Sequence, residues 1–189
     1  MKTFNSKFAL TTIAGLLLAT GGGNVLAITA GVIGDNSETG FISDKENISG
    51  NIGIYAVGTK ASAIAESISI SSDSYAALYA YNGGRISVGG DSTKSVVITS
   101  TSDGINAVNL KRQGAAFVSV KASELISIVS DTYAIWGQNG TQQTQAPESH
   151  STITIEAPSI NIEGKDEAIV AFSNTLFTLL LCKANIPSI

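Results

Sequence analysis

The chain has 189 residues, 11 basic and 15 acidic, with one Cys, one His, one Met and one Trp, and a formal net charge of −4. An apolar share of 43% can fill a core, which excludes wholesale disorder. The mildly acidic balance excludes charge-driven binding to nucleic acid or anionic lipid, and a single Cys excludes a disulfide framework.

Residues 1–27 read as a secretory signal peptide. Lys2 and Lys7 are the basic start, Phe8 to Thr20 is the apolar run, and Gly21-Gly22-Gly23 breaks any helix. Val25 and Ala27 sit at the −3 and −1 positions of a cleavage site. The apolar run is shorter than the roughly 20 residues that a spanning helix needs. Removing Lys2 and Lys7 leaves nine basic and 15 acidic residues, a net charge of −6. Residues 28–50 are expected to be an N-terminal cap or lead-in.

From residue 51 to 174 a pattern of three short β-type runs recurs. Run A reads small–Ile/Leu–x–Ala: Gly53-Ile54-Tyr55-Ala56, Ala77-Leu78-Tyr79-Ala80, Gly104-Ile105-Asn106-Ala107, Ala134-Ile135-Trp136-Gly137 and Ala168-Ile169-Val170-Ala171. Run B is Arg85–Val88, Phe117–Val120 and Thr152–Ile155, with Ala63-Ile64 in the first repeat. Run C is Ile68–Ile70, Val96–Thr99, Leu125–Ile128 and Ile160–Ile162. β-Branched residues alternating with Ser, Thr or Asn mark half-buried strands. The last Ile of run C precedes the run-A Ile by seven residues in three repeats and its Leu by eight in the first. The repeat meanwhile lengthens from 24 to 27, 30 and 34 residues by expansion between runs A and B.

A constant core with one growing turn predicts an all-β protein, a parallel β-helix (solenoid) of about four three-strand coils. Side-chain period turns the Ile/Leu and Ala/Gly columns of run A inward, and Tyr55, Tyr79, Asn106, Trp136 and Val170 outward. The competing architecture is an antiparallel sandwich. The phase of the repeat and the scarcity of Asn-Gly hairpin turns outside the A-to-B connection weigh against it.

The tail, 175–189, shifts to Leu and Cys in Thr175-Leu176-Phe177-Thr178-Leu179-Leu180-Leu181-Cys182. A further run B is expected there and is not recognisable. The tail therefore reads as a truncation or frameshift, the alternative being a cap over the core. Uncapped ends predict end-to-end self-association.

The signal peptide, the three-run repeat and phrases such as Asp103-Gly104-Ile105-Asn106-Ala107 and Lys165-Asp166-Glu167-Ala168-Ile169 resemble the passenger region of bacterial autotransporters, the type V secretion adhesins. The resemblance covers roughly residues 51–174. It implies a right-handed coil, export across the inner membrane, and display at the outer membrane or cell surface by a C-terminal β-barrel. The expected location is thus the outer membrane, cell surface or extracellular space; no alternating strands of barrel length are recognisable after Ser173, and a true lack of the barrel would leave the product periplasmic.

No catalytic constellation is visible. His150 is the only His, and Cys182 has no second Cys. Asp73, Asp103 and Asp131 recur near coil spacing and would form a column of carboxylates about 5 Å apart. Closure of their own turns is the weightier reading, so neither a metal site nor a cofactor is expected. Arg85, Lys111, Arg112 and Lys121 are bases by type only.

The candidate ligand surface is the outward column Tyr55, Tyr79 and Trp136, with Gln142 and Gln143 in the loop from Gln138 to Ser149. Aromatic faces at coil spacing suit sugar rings or an apolar partner. Aromatic ladder stacking that binds nothing is the competing, weightier reading. These observations predict an adhesin-like structural protein that binds a host-cell or neighbouring-cell glycan or protein passively. The alternatives are a polysaccharide lyase or hydrolase on the same coil, and a non-functional remnant.

Overall fold

The computed structural model describes residues 30–37, 40–110, 114–139, 150–172 and 175–181. The expected signal segment, Lys111, Arg112, Gln142, Gln143 and Cys182 lie outside the described residues.

Every regular element among the described residues is a strand: β1 (Ala30–Ile33), β2 (Phe41–Ser43), β3 (Asn47–Val57), β4 (Lys60–Ala63), β5 (Ser67–Tyr81), β6 (Arg85–Gly89), β7 (Ser95–Ser100), β8 (Asp103–Asn109), β9 (Phe117–Lys121), β10 (Leu125–Ser130), β11 (Tyr133–Asn139), β12 (Ser151–Ala157), β13 (Ser159–Gly164), β14 (Glu167–Phe172) and β15 (Thr175–Leu181). They form one sheet of nine strands and one of six. All pairings between them are parallel, and the single antiparallel contact is an isolated bridge between Asp35 and Lys60. An antiparallel sandwich is therefore excluded.

From β6 onward each strand pairs with the third strand after it: β6 with β9, β12 and β15 in succession, β7 with β10 and β13, and β8 with β11 and β14. β5 runs through a C and an A run without a break, pairing β7 by Ser67–Ser72 and β8 by Ala76–Tyr81.

Register follows the inward columns. Ile54, Leu78, Ile105, Ile135 and Ile169 are cross-strand partners in order, and so are Ile70, Ile98, Ile128 and Ile162. Ile86, Val118, Ile153 and Phe177 form the matching column of the six-stranded sheet. A one-residue slip would turn all of these out to water, so burial specifies the register. Each fully buried Ile or Leu contributes about 2 kcal/mol of transfer free energy.

The small residue that opens run A has a steric cause. A Cβ on Gly104 would lie 2.8 Å from Ile128 Cγ2 and 2.5 Å from the Ala134 carbonyl oxygen. The Ile of run C presses into the start of run A, and Gly104 leaves no room there even for a Cβ.

Three expectations change. The lead-in is already part of the stack: β1 pairs with β3, and β2 with β4. The first run B is Lys60–Ala63, not Ala63-Ile64; Ala61 and Ala63 are its inward residues, and Ile64 is exposed. Two alanines carry too little apolar signal to reveal that strand by alternation. The third change lies in the tail, where the run B that the sequence hides is present. β15 pairs with β12 over its whole length, from Ser151–Thr175 to Ala157–Leu181. A Cβ on Gly137 would overlap the Thr175 side chain, so Gly137 makes room for the start of β15. Parallel pairing uses backbone groups alone, and a Leu-rich strand satisfies it as well as a Ser-rich one.

The turns after run A hold a polar feature that the sequence reading did not name. Asn82, Asn109 and Asn139 are buried there, each two residues beyond the Ala/Gly column. Asn109 Nδ2 donates to Asn139 Oδ1 at 2.9 Å, and the Leu110 amide donates to Asn82 Oδ1 at 3.0 Å. Asn82 has φ of 45°, a backbone state that Asn tolerates better than most residues. The ladder pairs Asn109 Nδ2 and the Leu110 amide, while Asn109 Oδ1 keeps no partner.

Candidate functional site

The outward column of the nine-stranded sheet has the register Tyr55, Tyr79, Asn106, Trp136, Val170. Tyr55 and Tyr79 stack with ring centroids 5.7 Å apart at 19°. Tyr81 stacks on Tyr79 at 5.7 Å, and Tyr75 meets it edge-on at 5.1 Å. Further along, Trp136 stacks on Phe172 at 6.3 Å and 10°, with Tyr133 tilted against it at 4.9 Å. Two aromatic clusters thus replace the single predicted stripe.

Asn106 separates them. Alternation puts it on the outer face, yet it is only 4% exposed. Its Nδ2 donates to Asp103 Oδ2 at 3.0 Å, and Asp103 also accepts from the Thr132 hydroxyl. Burial raises the phenol pKa of Tyr55 and, more strongly, of Tyr79, with the neighbouring tyrosines adding to both. These phenols stay protonated donors at neutral pH.

The expected carboxylate column does not form. Ser72, Ser100 and Ser130 are cross-strand partners, so Asp73, Thr101 and Asp131 follow in line. Asp103 is displaced two residues onward, opposite Ala76. Asp73 and Asp131 are therefore two strand spacings apart, roughly 10 Å. Among the described residues no group of three or more His, Cys, Asp or Glu is placed to hold a metal ion.

The described bases are committed elsewhere. Arg85 lies 4.0 Å over the centre of the Phe117 ring, a cation–π contact on the six-stranded sheet. Lys121 sits between Glu156 Oε1 at 2.8 Å and Asp91 Oδ1 at 2.9 Å, and their hydrogen bonds raise its pKa. An ammonium held in this way is a poor proton acceptor. His150 is exposed just before β12.

A second feature escaped the sequence reading: a polar trough of about 480 Å³ at the corner where C runs turn into A runs. Ser49, Ser71, Thr99, Thr101 and the Ser72, Ser100 and Ser130 row line it, with Asp73 and Asp131 beside them. The signal was present in the Ser two residues beyond the last Ile of three C runs. Ser72 Oγ accepts from the Tyr75 amide at 3.3 Å, so the trough wall and the four-tyrosine cluster share a turn.

No protein-family model, curated protein or solved structure matches the chain.

Proposed function

We propose that the chain is an exported, adhesin-like right-handed parallel β-helix, similar in kind to an autotransporter passenger, that holds a glycan or protein of a host or neighbouring cell at its outer surface. The single observation that carries this reading is the pair of aromatic clusters on the outer face of a parallel stack, Tyr55–Tyr75–Tyr79–Tyr81 and Tyr133–Trp136–Phe172. Partly exposed aromatics on a rigid sheet give apolar contact area at little cost in conformational entropy. Export rests on the reading of residues 1–27, and the third-strand periodicity supports the coil.

Binding of this kind is passive: backbone ladders and Ile columns fix the scaffold, and the outer face supplies contacts. Trp136→Ala tests the reading in a cell-adhesion assay with thermal melting alongside. Adhesion should fall about tenfold or more, the usual effect of removing a buried aromatic anchor. Unchanged adhesion with a lowered melting temperature would reduce the clusters to ladder stacking.

A further inference from the structure

We infer that the face formed by β13, β14 and β15 is an interface between two copies of this chain, joined tail to tail about a two-fold axis through β14. The inference goes beyond the adhesin reading and takes from it only the coil.

Three observations single out this end. β13, β14 and β15 each pair on one side among the described residues, and their six, six and seven residues put 19 at the face. A standard interface takes about 20–30 residues a side. The inward rows continue here with no layer over them: Ile169 and Leu179 are exposed, and Ile160, Ile162 and Phe177 are only partly buried against the core. β15 carries no charge along its seven residues, whereas edge strands are ordinarily shortened or guarded by Lys or Pro. The opposite end is guarded in this way. β1 and β2 have four and three residues, and Asp35 bridges back to Lys60. Val32 and Ile48 are buried there, and Phe41 alone among the large inward residues is exposed.

The climb of the coil selects the orientation of the partner. Each of these strands pairs with the third strand before it, so the chain rises one strand spacing, about 5 Å, in three strands. β13, β14 and β15 therefore end at three successive heights. A head-to-tail copy could set its β1 on β14 and its β2 on β15, but its β3 would then stand two spacings from β13. A two-fold axis through the middle strand brings all three edges to one spacing. β14 meets the partner's β14, and β13 and β15 meet the partner's β15 and β13, all antiparallel. Inward residues must face inward residues. An axis at Ile169 would set Glu167 against the partner's Ala171, which points inward. An axis at Val170 sets Ile169 against the partner's Ala171, large against small, and Val170 against its own copy. The charges of this last coil, Glu163, Lys165, Asp166 and Glu167, gather where β13 turns into β14. The axis carries that corner to the far end of the partner's β14, so no acid meets its own copy. A contact of this kind closes at two chains and does not propagate.

The test is light scattering joined to thiol cross-linking. At about 50 µM the purified protein should have twice the mass of one chain, since interfaces of this size have Kd values of µM or below. In a Cys182→Ala background, a short bis-maleimide should join Val170→Cys to itself and should leave Ile33→Cys, exposed in the same outward column at the other end, unjoined. Ile169→Lys places an ammonium in the seam and should weaken association about 100-fold or more, with thermal melting measured alongside. If that variant does not fold, the Val170→Cys cross-link decides alone. A monomer at about 50 µM overturns the inference and leaves the end to another segment of the same chain. Cross-linking of Val170→Cys to Ile33→Cys in a mixture also overturns it, because that product requires head-to-tail growth. A monomer with full cell adhesion removes the dimer and keeps the adhesin reading, and a dimer without adhesion does the reverse.

Discussion

Ile105 and Ile169 stand in the same inward column, two strands apart, yet Ile105 is 0% exposed and Ile169 is 40% exposed. The difference lies in their neighbours. β8 is flanked by β5 and β11, whereas β14 pairs among the described residues only with β11. β13 and β15 likewise pair on one side, with β10 and β12. β15 differs further, because its outward residues Leu176 and Leu180 lie opposite Thr152 and Glu156. In a stack of parallel strands the side-chain pattern decides which way a residue points. The layer beyond decides how much burial it gains.

The sharpest test of that comparison is truncation at both positions. Ile105→Ala should cost about 4 kcal/mol, transfer term plus cavity. Ile169→Ala should cost about 1 kcal/mol, because much of its surface is already in water. Urea unfolding of both variants at low protein concentration, where copies separate, measures the gap. Equal losses would mean that β14 is covered within one copy.

Asn109→Ala asks whether the polar ladder obeys the same logic. The change removes the 2.9 Å hydrogen bond to Asn139 inside the stack, and the expected loss is about 2 kcal/mol in the same assay. A loss under about 0.5 kcal/mol would mean that relaxation or water replaces the bond.

The smallest expected effect is alkaline. The folded-state pKa of Tyr79 lies above the ordinary 10.0 because burial disfavours phenolate. Below that ordinary value both states keep the proton, so stability is undiminished. Above it the unfolded chain ionises first, and stability falls by at most about 1.4 kcal/mol per pH unit. Tyr79→Phe should flatten this limb and change neutral stability by about 1 kcal/mol or less. Unfolding followed at neutral pH and at about pH 11 checks both limbs.

Legibility varied with the physical signal. The columns through Ile105, Ile98 and Val118 were readable because β-branched residues alternate with polar ones, and alternation survives any loop length. β4 was not readable, since Ala61 and Ala63 look like turn residues until Ile86 and Val88 are seen beside them. Tyr79 and Trp136 were found by the same alternation that placed the Ile columns. Their partners were missed: Tyr75 and Tyr133 lie earlier on the same strands, β5 and β11, outside the repeated run-A motif, and Phe172 reaches Trp136 from the neighbouring β14. Asp103 was misplaced by counting from run A; counting from Ile98, the last Ile of its C run, finds Ser100 and Thr101 in the places that Ser130 and Asp131 hold after Ile128.

Local pattern determined the all-β character, the inward columns and the small residue that opens each A run, because these depend on side-chain period and on contacts that recur at every repeat. Tertiary structure decided the rest. Parallel pairing brings residues 20 to 35 positions apart to one strand spacing, and only there does Asn109 meet Asn139. Only there does Ser130, the same residue type in the same row as Ser72 and Ser100, lose the backbone partner that the other two keep.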